Sequence, residues 1–92
     1  MEYLREFERK IFLLDGMLIE TGGWFGEKRL DYYIDSCLES AEKYYEVSRD
    51  KSELLRIVDL YIEQYRNETQ WKYYHYEMRF LNTLRSKIEE KK

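Results

Sequence analysis

Apolar residues recur at alternating spacings of three and four along most of the chain. The first run is Leu4, Phe7, Ile11, Leu14 and Leu18. Two further runs are Leu30, Ile34, Cys37, Ala41 and Tyr44, and then Leu54, Val58, Tyr61 and Tyr65. This spacing places the members of each run on one face of an α-helix. Because the 92 residues include no proline that would break such helices, the pattern predicts an all-α fold.

Interruptions of the pattern mark the ends of the predicted helices. We expect helices at about 2–20, 27–47, 51–66 and 68–90. A glycine-rich connection at 21–26 separates the first two. Asp50 followed by Glu53 predicts a capping box at the start of the third helix. Asn67 followed by Gln70 predicts either a weaker cap or a kink in one continuous helix.

The length of the chain fits one domain, because domains cluster around 100–150 residues. We therefore expect residues 1–92 to form a single helical domain. Its predicted architecture is a small antiparallel bundle of three or four helices, with a long C-terminal helix and a charged tail at 89–92.

The first helix carries more apolar residues than one face requires. Those off its main face are Phe12, Leu13, Met17 and Ile19. Since a helix that is apolar over most of its circumference is usually buried, we expect this helix to be central. A β-hairpin is the alternative because Asp15-Gly16 is a turn signal, but the helical spacing passes through Gly16 in phase.

The last predicted helix is rich in aromatic residues and carries two apolar stripes. One stripe is Trp71, Tyr74, Met78, Leu81 and Ile88; the other is Tyr73, Tyr76 and Phe80, bridged to the first by Leu84. Together they cover about 220° of the circumference, far more than the ~100° that a surface helix needs. Either this helix lies centrally among the others, or one stripe contacts another molecule.

The residue types of the second stripe favour protein binding. Interfaces are enriched in Tyr, Trp, Phe, Met and Arg. We therefore expect a small non-catalytic protein-binding module of the adaptor, inhibitor or immunity type, acting on another protein or on a second copy of itself. The expected contact residues are Tyr73, Tyr76 and Phe80, with Trp24 and Phe25 as a second contact. Short acidic helical proteins encoded by phages and mobile elements have a similar size and composition.

Nucleic-acid binding is the alternative function. Basic residues interleave with aromatic residues at Lys72, Arg79, Arg85 and Lys87, as they do on single-strand stacking surfaces. The overall charge of −3 is unfavourable for this function. The first fifty residues carry seven basic and twelve acidic residues, so the molecule is acidic in its first half and mildly basic in its second.

The sequence contains few residues of the types that catalysis and metal binding require. His75 is the single histidine and falls on the polar side of its helix, without a nearby nucleophile and orienting carboxylate. Cys37 is the single cysteine and lies at the centre of its apolar run, where a buried thiol is expected. One His and one Cys cannot form a structural zinc site. The prediction is a protein without enzymatic activity, cofactor or metal.

We also find no targeting signal in the sequence. The apolar run of residues 11–14 is followed by Asp15, so it falls far short of a membrane span. A lone cysteine excludes an intrachain disulfide. We therefore expect a cytoplasmic protein without a membrane partner.

Overall fold

The computed structural model describes residues 2–21, 26–67 and 75–91 of the chain. Within these ranges the chain forms four α-helices and no strand. They are α1 (Glu2–Thr21), α2 (Gly26–Ser48), α3 (Ser52–Arg66) and α4 (His75–Glu89). The predicted all-α bundle is confirmed, and the ends of the first three helices fall within one residue of the predicted positions.

The last helix differs from the prediction in its described length. α4 spans 15 residues, as does α3, whereas α2 spans 23 residues. The predicted start of this helix near 68 lies outside the described residues. α3 and α4 pack against each other, which one continuous straight helix cannot do. They are therefore separate helices.

The core combines side chains from all four helices. Its buried apolar members are Phe7, Ile11, Leu30, Tyr33, Ile34, Cys37, Ala41, Tyr44, Leu54, Ile57, Val58, Ile62, Tyr65, Phe80, Leu81, Leu84 and Ile88. The residues contributed by α1 and α2 follow the predicted three-and-four spacing. Burial of such side chains is the main favourable contribution to folding, at about 1.5–3 kcal/mol for each large one.

α4 is packed more extensively than α1. Each of them contacts the other three helices, but α4 packs extensively against both α2 and α3, whereas α1 packs extensively against α2 alone. Phe80, Leu81 and Leu84 of α4 are completely buried. α4 is therefore more enclosed than α1, the helix that we expected to be central. Phe12 and Leu13 of α1 are exposed because no described helix covers that side.

The turn between α2 and α3 depends on two consecutive residues. Arg49 has a φ of 55°, the left-handed conformation that ends many helices, and its N–H donates to the Tyr45 carbonyl at 2.8 Å. Asp50 Oδ1 accepts hydrogen bonds from the Ser52 N–H at 2.9 Å and from the Ser52 hydroxyl at 2.6 Å. The N-cap of α3 is Lys51, which makes no side-chain capping hydrogen bond, so the predicted capping box of Asp50 and Glu53 is wrong. Glu53 instead pairs with Arg56 at 2.9 Å.

Polar contacts show the antiparallel arrangement of α3 and α4. Arg85 in α4 donates to Asp59 in α3 at 2.7 Å. Lys51, beside the start of α3, donates to the Glu89 carbonyl at the end of α4 at 3.0 Å. The start of one helix therefore lies beside the end of the other.

Candidate protein-binding surface

Exposed apolar side chains concentrate on α1. The large exposed hydrophobic residues in the described part of the chain are Tyr3, Phe12, Leu13, Met17, Tyr32, Val47 and Leu60. The first four belong to α1, and none belongs to α4. Hydrophobic residues scattered singly over a surface are ordinary, whereas a contiguous group indicates an interaction site. The group in α1 is therefore the candidate functional surface.

Three of these residues adjoin along the second half of α1. Phe12 is 67% exposed, Leu13 50% and Met17 40%. Leu13 and Met17 are four positions apart and lie one helical turn from each other, as do Phe12 and Gly16. A Cβ built on Gly16 would meet no atom within 4 Å, so the helix backbone is accessible between the larger side chains. We call Phe12, Leu13, Gly16 and Met17 the α1 outer surface.

Two arginines extend this surface towards the start of the helix. Arg5 and Arg9 precede Leu13 by eight and four positions, and all of them lie in one row with Met17. Both arginines are exposed, and no described side chain lies within ion-pair distance of either. We call Arg5, Arg9, Leu13 and Met17 the α1 ridge. Its first half is cationic and its second half is apolar.

The aromatic residues predicted to bind a partner are only partly described. Phe80 has no exposed surface and lies in the core, so the expectation that it contacts a partner is wrong for this fold. It is covered because α2 and α3 both pack extensively against α4. Tyr76 is half-buried. Tyr73, Trp24 and Phe25 lie outside the described residues.

The basic residues of the nucleic-acid alternative do not form one free cationic face. Arg85 is bonded to Asp59 at 2.7 Å and also to Glu89, and these hydrogen bonds raise its pKa. Arg79 and Lys87 are exposed, and Lys72 lies outside the described residues. The next lysine, Lys91, pairs with Glu42 at 2.9 Å. Of the four described basic residues near the C-terminus, two are thus matched by carboxylates and are not available to phosphates.

Cys37 occupies the predicted core position. The side chain is completely buried, and burial raises the pKa of its thiol to about 12. Lys10 on the neighbouring helix favours the thiolate only as a smaller effect. A thiol with so high a pKa is protonated at neutral pH and is a poor nucleophile. The side chain of His75 lies outside the part that the structure describes.

A buried polar cluster lies where α1, α3 and α4 meet, and the sequence did not reveal it. Asp15 is 5% exposed, Glu77 is 4% exposed, and the Tyr65 hydroxyl donates a hydrogen bond to Asp15 Oδ2. Burial raises the pKa of Asp15 to about 6; the Tyr65 bond lowers it, and the charge of Glu77 raises it further. Asp15 follows Ile11 by four positions and so lies on the same face of the helix. Because Ile11 belongs to the apolar run, this spacing indicated that Asp15 faces inward.

The described residues contain no group of three His, Cys, Asp or Glu side chains placed to hold a metal ion. In the same part of the chain, none of the helices combines the length and apolar character that crossing a membrane requires. Comparison of the chain with protein-family models, with curated proteins and with solved structures finds no match. The α1 outer surface therefore has to be interpreted from its own chemistry.

Proposed function

We propose that this chain is a small non-catalytic protein-binding module of the adaptor, inhibitor or immunity type, and that it binds through the α1 outer surface. The observation that supports this proposal most is the contiguous exposure of Phe12, Leu13 and Met17. Leaving three large apolar side chains in water is unfavourable, whereas covering them with a partner recovers that free energy. Helix faces of this kind dock against complementary helices or grooves.

The buried apolar surface of α4 supports the same choice of face. Phe80, Leu81 and Leu84 already pack inside the bundle, so a partner could reach them only by unfolding the protein. In this proposal the protein acts in the cytoplasm, because its single cysteine is a buried free thiol and does not require an oxidising environment.

The test compares the proteins captured by the wild type, by the double variant L13E/M17E and by V47E. Val47 is an exposed apolar residue in α2, so V47E adds a carboxylate to the surface and leaves α1 unchanged. Extract from the cells that encode the protein supplies the candidates. Circular dichroism and urea unfolding first verify that all three proteins fold alike.

We expect a protein that the wild type and V47E both capture and that L13E/M17E loses. That protein is then purified, and its Kd is measured directly. The double variant should raise the Kd by about tenfold or more, the effect of removing a central apolar contact. Capture that survives L13E/M17E, or that V47E abolishes equally, would contradict the proposal.

A further inference from the structure

The charge of the α1 ridge constrains the chemistry of its partner. Arg5 and Arg9 are exposed, and no carboxylate of a described residue lies within 4 Å of either guanidinium. Two cations of this kind, in line with two exposed apolar side chains, form a surface that is positive at one end and apolar at the other. A complementary partner carries carboxylates opposite the arginines and apolar side chains opposite Leu13 and Met17.

None of the acidic side chains that the structure describes in α1 forms an ion pair with this ridge. Glu6 pairs with Lys10 at 3.8 Å. Glu8 lies on the side facing α3, where it raises the pKa of Tyr61 as a smaller effect after burial and the charge of Asp15. Asp15 is buried. Glu2 is in the first turn, where the helix macrodipole favours a negative charge.

The size of the ridge fits a single helix. From Arg5 to Met17 the axis of α1 rises by about 18 Å, which a partner helix of roughly 12–14 residues can follow. A two-fold dimer through the same ridge would place the arginines opposite each other or opposite the apolar half, so a second copy lacks the carboxylates that this surface requires.

We propose that the partner presents an acidic amphipathic helix, which docks along the α1 ridge with its carboxylates on Arg5 and Arg9 and its apolar side chains on Leu13 and Met17. This inference rests on the proposed function, because it names the occupant of the same surface. A lipid surface fits less well. The ridge carries two arginines, whereas segments that bind anionic lipid surfaces carry clusters of about four to eight basic residues.

The test is a selection from a displayed library of 14-residue helical peptides. Leucine is fixed along one face of each peptide, and the flanking positions vary among Glu, Gln and Lys. The purified full-length chain is the target at low salt, in four forms: wild type, R5E/R9E, L13E/M17E and the control R79E/K87E. The control makes the same change of charge on α4, where Arg79 and Lys87 are also exposed.

We expect the wild type and R79E/K87E to select Glu at the flanking positions, R5E/R9E to select Lys, and L13E/M17E to select no peptide. Measured by fluorescence anisotropy, the R5E/R9E change should weaken the binding of the selected acidic peptides by about 3- to 30-fold, from two exposed ion pairs. Added salt should narrow this difference.

Two results separate the failure of this inference from the failure of the proposed function. Peptides that depend on Leu13 and Met17 but carry Gln or Lys would overturn the acidic partner and leave the protein-binding surface intact. Peptides that bind L13E/M17E as well as the wild type, or no selected peptide at all, would overturn both.

Two further measurements address other occupants of the ridge. Co-sedimentation with phosphatidylcholine vesicles containing phosphatidylserine would overturn the inference if R5E/R9E and L13E/M17E both abolished it. Sedimentation equilibrium would overturn it by showing a dimer of the wild type that L13E/M17E dissociates. A monomer that does not bind vesicles and selects acidic peptides is the expected combination.

Discussion

α1 and α4 both carry more apolar surface than one helical face, yet the fold uses that surface in opposite ways. In α4, Phe80, Leu81 and Leu84 are completely buried. In α1, Phe12 and Leu13 are at least half exposed. The difference arises from the extent of packing, since α4 packs extensively against both α2 and α3, whereas α1 packs extensively against α2 and only lightly against α3 and α4. An excess of apolar residues therefore indicates a binding surface only on the helix that packs less extensively.

The largest expected effect comes from truncating matched phenylalanines on the two helices. F80A should lower the free energy of unfolding by about 3–5 kcal/mol, because it removes a completely buried ring and leaves a cavity. F12A should change it by less than about 1 kcal/mol, because that ring is two-thirds exposed. Urea unfolding monitored by circular dichroism measures both. Similar losses of unfolding free energy in F80A and F12A would contradict the contrast between the buried face of α4 and the exposed face of α1.

On the inner side of α1, removing the charge of Asp15 should stabilise the protein, whereas truncating Phe80 destabilises it. The pKa of Asp15 is raised from 3.8 to about 6, so the folded protein binds this proton more tightly than the unfolded chain. The protonated carboxyl group of Asp15 therefore makes its full contribution to stability below about pH 4, and this contribution is lost as the pH rises through about 6. The loss amounts to at most about 3 kcal/mol above that pH.

Replacing Asp15 with its uncharged isostere tests this effect. D15N should stabilise the protein at pH 7.5 by about 1–3 kcal/mol and reduce the dependence of stability on pH between 4 and 7, since the amide oxygen can still accept the Tyr65 hydrogen bond. D35N, at an exposed position of α2, is the control and should have little effect. Lower stability of D15N at pH 7.5 would show that the fold requires the charged carboxylate.

Ion pairs should contribute much less than apolar burial to the position of α4. R85A removes the bonds from Arg85 to Asp59 and Glu89. All three side chains are at least one-third exposed, so water and salt screen the pairs, and each should contribute about 0.2–1 kcal/mol. Unfolding of R85A at low and at high salt measures this contribution. A loss as large as that of F80A would mean that charge, and not burial, holds α4.

The smallest expected effect on stability belongs to the proposed binding surface. L13E/M17E should change the free energy of unfolding by no more than about 0.5 kcal/mol per site, as exposed substitutions usually do. Thermal unfolding next to V47E measures this change. If the double variant unfolds where V47E does not, α1 contributes this face to the stability of the bundle, and the binding interpretation would lose its support.

The sequence predicted the helices well because their apolar spacing is local information. Cys37 and Ile11 lie in the core where their runs placed them. The sequence did not show that α4 would be more enclosed than α1, since periodicity shows how much of a helix is apolar and not how extensively its neighbours will cover it. The residues of the α1 outer surface were visible as apolar positions off the main face, but burial was the simpler interpretation of them.

Asp15 and Phe80 both show that local sequence patterns do not reveal the tertiary contacts of a residue. Asp15 lies inside a helix, as the apolar spacing predicted, but the hydrogen bond that it accepts from Tyr65, fifty positions away, was not visible in the sequence. Phe80 looked like a contact residue, yet neighbouring helices enclose it. Both outcomes depend on tertiary packing, which no local spacing encodes.

Carbene footprinting of the free protein in solution tests the central contrast between the two helices most directly. The reagent labels accessible side chains without regard to charge, and tandem mass spectrometry assigns each label to a residue. We predict strong labelling at Phe12, Leu13 and Met17 and almost none at Phe80, Leu81 and Leu84. Protection of the α1 outer surface together with labelling of α4 would contradict this account.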